Sequence, residues 1–212
     1  MFRRPTLFVL GAGASAEVGF PVGSELSSWI SENLDYSESD ATGRFGGGNE
    51  EIHRALNLKS AEENYSGKYI DAARRIARGL VYSKSIDEFV NKHLDDPDLQ
   101  FCAKVAISYR IFLAERKSCV FIDPSNNYNG FRSPKAISES WYLEFAQILF
   151  DGLAKTNVGE VFKSVSIVNF NYDRSLEHFI HRSLRDSYGL SDQAATEALI
   201  EIPIVRPYGS LG

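Results

Sequence analysis

Leu7-Phe8-Val9-Leu10-Gly11-Ala12-Gly13-Ala14-Ser15-Ala16 decides the fold. Thr6 to Leu10 is continuously apolar with no alternation, which predicts a short, fully buried strand. The small residues that follow, closed by Gly19 and Phe20-Pro21, predict a brief helical turn. A strand, then Gly11-x-Gly13-x-x-Ala16, then a helix has the mechanics of a phosphate loop. Gly11 permits the tight turn, Gly13 lets the backbone approach a pyrophosphate, and Ala16 lets the helix pack against the strand. The helix N-terminus offers free N–H donors and a positive dipole end, and Ser15 offers a hydroxyl. The same residues also fit a plainer reading, a small-residue turn chosen for packing. A dehydrogenase would carry a second strand ending in an acidic residue about 20 positions further on. Trp29 to Asn33 and a glycine-rich stretch fill that place, which counts against hydride transfer.

Outward from this core, Ser24 is a natural N-cap and Glu25 suits a first turn. Leu26, Trp29, Ile30 and Leu34 then follow at helical spacing. Residues 35–50 are acidic and glycine-rich, ending in Gly46-Gly47-Gly48, and read as a flexible loop. From Glu50 to Lys155 the apolar period is helical. Ile70, Ala73, Ile76, Ala77 and Leu80 make one stripe, Cys102, Val105, Tyr109, Phe112 and Leu113 a second, and Trp141, Phe145, Ile148 and Leu149 a third. Asp123 to Gly130 is a turn-rich break. Val165 to Phe170 is a second apolar strand, followed by a helix from Arg174 that Gly189 helps to stop. A short helix near Ser191 to Leu199 leads to a third strand, Ile202 to Val205, where Pro203 suits the first positions better than the centre. The reading is a single α/β domain over residues 1–212, Rossmann-like and mainly parallel, with a large helical insertion over residues 35–155. The chain stops just after a strand, so the sheet is expected to be incomplete and the chain an N-terminal portion.

Composition sets the outer limits. The 212 residues are 43% apolar and 12% aromatic, too rich for a disordered chain. The 23 basic and 28 acidic residues give a net charge of −5, which argues against a broad nucleic-acid surface. The two cysteines, Cys102 and Cys119, form no Cys-x-x-Cys pair, which fits a reducing cytoplasm and no structural zinc. No apolar run approaches the roughly 18 residues of a membrane span. Met1-Phe2-Arg3-Arg4 imitates a secretory leader, but Pro5 interrupts it and Leu7 to Leu10 falls short of an apolar core of about 7–15 residues.

Two further stretches carry candidate chemistry. Asn171-Tyr172-Asp173 sits at the carboxyl end of the second strand, where open α/β sheets bind ligands. An amide and a carboxylate there suit a ribose and a water. Asp173 is equally a natural N-cap for the next helix, and Asn171 suits a strand-end turn. Tyr208-Gly209-Ser210 follows the third strand. A tyrosine there can donate a hydrogen bond, but its ordinary pKa near 10 makes it a poor base at neutral pH. A plain aromatic residue beside a turn reads as well. Glu177, His178 and His181 share a helix without a His-Glu-x-x-His pattern and read as surface or partner-facing groups. Cys102 reads as buried packing, and Arg74, Arg75 and Arg78 as a solvated helix face.

Three of these stretches resemble the sirtuin-like superfamily. Leu7 to Leu26, LFVLGAGASAEVGFPVGSEL, resembles its opening motif. Val168 to Asp173, VNFNYD, resembles its second, and Pro207 to Gly212, PYGSLG, its third. Ser85 to Val90 and Trp141-Tyr142 resemble the helical insert of bacterial sirtuin-like defence proteins. The resemblance implies a Rossmann-like fold that binds NAD+ as substrate and breaks the nicotinamide–ribose bond. The long gap between the first two motifs resembles bacterial anti-phage NAD+ hydrolases rather than protein deacylases. In keeping with that, Val22-Gly23-Ser24-Glu25 replaces the Asp-Phe-Arg of the deacylases, and their four zinc cysteines have no counterpart. By resemblance, Gly11, Ala12, Gly13 and Ser15 cradle the pyrophosphate, and Pro21 shapes the loop beside the nicotinamide ribose. Asn171 is the catalytic residue, Asp173 supports the nucleotide, and Gly209 and Ser210 complete the third motif. Tyr208 stands where the family carries a histidine base. A missing base typically costs about 10²–10⁴-fold in rate. The resemblance therefore leaves three activities: an NAD+ glycohydrolase, a non-catalytic NAD+ or ADP-ribose sensor, and more distantly a deacylase. It also implies oligomers and a C-terminal sensor or partner, while charge and hydropathy lead us to expect no nucleic-acid or membrane partner, and no metal is expected.

Overall fold

The computed structural model describes residues 2–36, 46–64, 67–125 and 130–209. The expected loop over 35–50 and the break over 123–130 therefore lie partly outside the described residues, and Ser210 wholly so. The chain divides into two units, one built from Met1–Phe20 and Ala114–Gly212, the other from Pro21–Leu113.

The first unit holds three strands, β1 (Thr6–Leu10), β2 (Val165–Asn169) and β3 (Ile204–Val205). They form one parallel sheet in the order β1-β2-β3. Thr6 pairs with Val165 and Leu10 with Asn169, so the ends of both apolar runs are level. Phe170 N–H donates to Leu10 O at 2.9 Å and carries the pairing one residue beyond β2. Pro203 cannot donate, and it stands just ahead of β3, where its carbonyl accepts from Ile167 N–H at 2.9 Å. Among the described residues this unit also holds the helices α1 (Ala12–Ala16), α7 (Pro134–Ser138), α8 (Trp141–Phe150), α9 (Ser175–Tyr188) and α10 (Asp192–Ile200).

The α/β class expected from the sequence is the observed one, a small parallel sheet with a large helical insertion. The first strand, however, is not buried on both faces. Leu7 and Val9 are 61% and 64% exposed, whereas Leu10 is buried and Phe8 packs its ring at 5.1 Å from Phe145 of α8. A continuous apolar run hides its alternation, so the pattern alone could not reveal an open face. Behind the sheet Tyr142 of α8 meets Phe179 of α9 edge-on at 5.2 Å. The buried stripe of α8 is Tyr142, Phe145, Ala146 and Leu149, with Ile148 exposed.

The second unit contains α2 (Gly23–Asn33), α3 (Glu50–Glu62), α4 (Lys68–Gly79), α5 (Ile86–Asn91) and most of α6 (Pro97–Glu115). This unit spans Pro21–Leu113, whereas the insertion expected from the sequence covers 35–155. Residues 114–155 belong with the sheet because α8 supplies Phe145 and Tyr142 to the sheet's core. Helix starts follow the capping chemistry. Asn49 Oδ1 accepts from Glu51 and Ile52 N–H at 3.0 and 3.1 Å, and Asp96 Oδ1 from Leu99 N–H at 2.9 Å. For α2 the cap is Val22, whose N–H donates to Glu25 Oε2 at 3.1 Å, so Ser24 lies inside the helix rather than capping it. On α4 the expected stripe is buried in full. On α6 the buried face is Leu99, Cys102, Ala103, Ala106, Ile107 and Ile111, while Phe112 is 52% exposed. Among the described residues no helix is long and apolar enough to cross a membrane.

Candidate functional site

The carboxyl ends of β1 and β2 bring two of the sequence motifs together. Gly11 follows β1 directly and caps α1 with extended backbone, φ −117° and ψ −177°. Gly13 sits inside α1. Neither glycine needs a left-handed conformation, so a tight turn does not explain them. Both are exposed, and a Cβ added at either would meet no atom within 4 Å. The small residues therefore leave open space in front of the loop. Ser15 behaves differently: it is 3% exposed and turned inward.

Asn171 joins the loop from the other strand. Its Nδ2 donates to Gly11 O at 3.0 Å and to Ser15 Oγ at 2.8 Å, and its backbone N–H donates to Asn169 Oδ1 at 3.0 Å. With both amide protons committed, Oδ1 is the part of this side chain suited to a ligand hydroxyl or water. Asp173 is buried, and one of its oxygens accepts from Ser175 N–H at 3.0 Å and from Ser175 Oγ. The sequence reading made Asp173 the N-cap of a helix from Arg174; α9 instead starts at Ser175 with Arg174 in the cap position, and Asp173 holds the first helical N–H from one residue further out.

The third motif follows β3. Gly209 N–H donates to Arg206 O at 3.1 Å, closing a turn with Pro207 at its second position. Gly209 has φ +79°, where a side chain would be strained. Tyr208 is half exposed, its ring 5.7 Å from Phe170, the residue before Asn171. Pro21 is buried and belongs to the helical unit, just ahead of α2. Ala12 begins α1 and is partly exposed.

Sequence reasoning gave three residues beside these motifs, Arg206, Trp141 and Tyr142, no part in the site. Arg206 Nη1 donates to Asn171 O at 2.7 Å and to Asp173 O at 3.0 Å, while Nη2 donates to Glu177 Oε1. This one guanidinium ties the end of β3 to the loop after β2. Glu177, considered for metal binding, is instead the partner of Arg206. Trp141 Nε1–H donates to Ala14 O at 2.8 Å, and its backbone N–H to Glu17 Oε2 at 2.9 Å, pinning α8 to α1. Tyr142 shares a 2.7 Å hydrogen bond with Ser175 Oγ, and burial pushes its phenol well above the usual range. A charged residue at a strand end and a Trp-Tyr pair at a helix start were the available signals.

The other candidates fall away from chemistry. Cys102 is fully buried, and burial pushes its thiol up to about 12, so a thiolate nucleophile is disfavoured there. His181 Nε2 lies 3.2 Å from Thr196 Oγ1 on α10. Arg75 pairs with Asp96 at 2.6 Å and Arg74 with Asp71 at 3.2 Å. Among the described residues no group of three or more His, Cys, Asp or Glu gathers as a metal site.

Comparison with protein-family models, curated proteins and solved structures gave no match.

Proposed function

We propose that the sheet-bearing unit binds NAD+ in front of the Gly11–Ser15 loop and cleaves its nicotinamide–ribose bond. The carrying observation is the bond from Asn171 Nδ2 to Gly11 O at 3.0 Å, which joins the glycine loop to the amide that ends β2. In this reading the pyrophosphate lies over the open backbone at Gly11, Ala12 and Gly13. Ser15 acts from behind, by holding Asn171. Asn171 Oδ1 accepts from a ribose hydroxyl or orients the attacking water as nicotinamide departs and positive charge grows on the sugar. Asp173 fixes the loop and the start of α9. Tyr208 stands at the mouth and hydrogen-bonds the ribose, without the base strength of an imidazole. The proposed setting is a reducing cytoplasm, and the proposed role is that of a bacterial anti-phage effector.

The test is to incubate the protein with NAD+ and separate nicotinamide and ADP-ribose by chromatography. Wild type should release both, and Asn171→Ala should lose at least about 10²-fold of the rate. Equal rates in the two proteins, or none in either, would defeat the enzymatic reading.

One observation favours a second reading, a binding-only sensor. Tyr208 is half exposed at a turn, as a contact residue would be. In that case NAD+ or ADP-ribose binds saturably without turnover, and Tyr208→His raises hydrolysis.

A further inference from the structure

The third strand is short, and a side chain continues its work. β3 pairs with β2 at two positions, Ile204 with Ile167 and Val205 with Val168. The next residue is Arg206, whose Nη1 donates to Asn171 O at 2.7 Å and to Asp173 O at 3.0 Å. Those carbonyls flank Tyr172, so one nitrogen grips the loop after β2 on both sides of its middle residue. Nη2 donates to Glu177 Oε1 on α9. A guanidinium is planar, so seating Nη2 on the carboxylate aims Nη1. The main chain of Arg206 adds a second hold. Its carbonyl accepts from Gly209 N–H at 3.1 Å and closes the turn that carries Tyr208. Asn171 is thereby fixed through its N–H by Asn169, through its carbonyl by Arg206, and through Nδ2 by Gly11 and Ser15.

We propose that Arg206 is a positioning residue of this site: aimed by Glu177, it fixes the main chain of Asn171 against the Tyr208 turn and so sets the direction in which Asn171 Oδ1 meets the ligand. Both side chains of the pair are nearly buried. A buried ion pair is not needed for stability alone, because apolar side chains of similar volume often fill such a space as well or better. Glu177 Oε2 adds to the cost, being buried with no hydrogen-bond partner among the described residues. What apolar side chains cannot do is donate to two carbonyls at once. The geometry imposed on residues 171–173 is therefore what the pair supplies. The ligand named here rests on the NAD+ reading; the hold of Arg206 on Asn171 does not.

Stability and positioning separate in the double variant Arg206→Met with Glu177→Leu, which removes both charges together and keeps the space filled. The full chain is used, with unfolding first shown to be close to wild type. One readout is the side-chain amide pair of Asn171, labelled with ¹⁵N-asparagine and assigned by its loss in Asn171→Ala. In the double variant the pair should exchange with water about tenfold faster, with the remaining asparagine signals in place. The other readout is turnover: kcat for nicotinamide release should fall about 10- to 100-fold, with KM for NAD+ within about twofold. Should the double variant unfold more easily than wild type, Arg206→Lys, which keeps the charge and loses the planar fork, is read in the same way. An amide pair that exchanges as in wild type overturns the proposal, whatever the turnover. So does an undiminished kcat in a protein that turns NAD+ over. An altered pair in a protein whose wild type releases no nicotinamide upholds the positioning and rejects the NAD+ reading instead.

Discussion

Asn171 Nδ2 reaches Gly11 O at 3.0 Å across 160 positions of sequence. The glycine loop and the end of β2 are therefore one structure, and the contact has a fixed polarity. An aspartate at 171 would set an acceptor against an acceptor, where an alanine would only remove a donor. Asn171→Asp should lower stability to urea by about 1–3 kcal/mol, and by more than Asn171→Ala. An Asp variant as stable as wild type would show that the contact does not form.

Arg206 and Glu177 pair with side chains only 12% and 14% exposed, and Glu177 Oε2 is buried with no further partner. Arg206→Ala would leave that carboxylate uncompensated and release the carbonyls of Asn171 and Asp173. A loss of about 3–5 kcal/mol is expected. The double change Arg206→Met with Glu177→Leu should recover most of it in thermal unfolding. If the single variant melts with wild type, the clamp contributes nothing.

The open face of the sheet makes a sharp contrast between neighbours on β1. Val9 is 64% exposed and Leu10 8%. Val9→Thr should change stability by no more than about 0.5 kcal/mol, and Leu10→Ala should cost about 2–5 kcal/mol. Chemical denaturation of both variants decides it, and a large loss at Val9 would mean that face is covered.

In the helical unit Glu63 is held down to about 2 from an ordinary 4.5, first by its bond to Lys68 and then by the Tyr69 hydroxyl. A carboxyl with a depressed folded pKa supports the fold fully above its unfolded value. That support is lost as pH falls from about 4.5 towards about 2. A ¹³C carboxyl titration should find Glu63 still ionised at pH 3, and Glu63→Gln should flatten the acid limb of the stability curve. A midpoint near the ordinary value would contradict the ion pair.

Much of this was legible in the residues. The limits of β1, the break after Leu10, the end of α9 at Gly189 and the placing of Asn171 at a strand end all follow from local chemistry. Apolar runs, glycine and capping side chains act on neighbours, so sequence displays them. The open face of β1 was not legible, because Leu7 and Val9 look the same whether covered or bare. Nor was the inward turn of Ser15, which depends on Asn171 arriving from far along the chain. Arg206 was missed for the same reason, since its partners lie 29 to 35 positions away. Tyr142 lay outside the stripe read on α8, whose helical phase is fixed by packing against β1 and α9.

The central claim is that the space in front of Gly11 and Gly13 receives an adenine dinucleotide, and calorimetric titration with NAD+ tests it most directly. Gly13 offers a clean probe, because a side chain there meets nothing within 4 Å of its Cβ. Wild type should show saturable heat, and Gly13→Leu should fold normally yet give none. Equal heats from the two proteins, or no heat from wild type, would contradict the account.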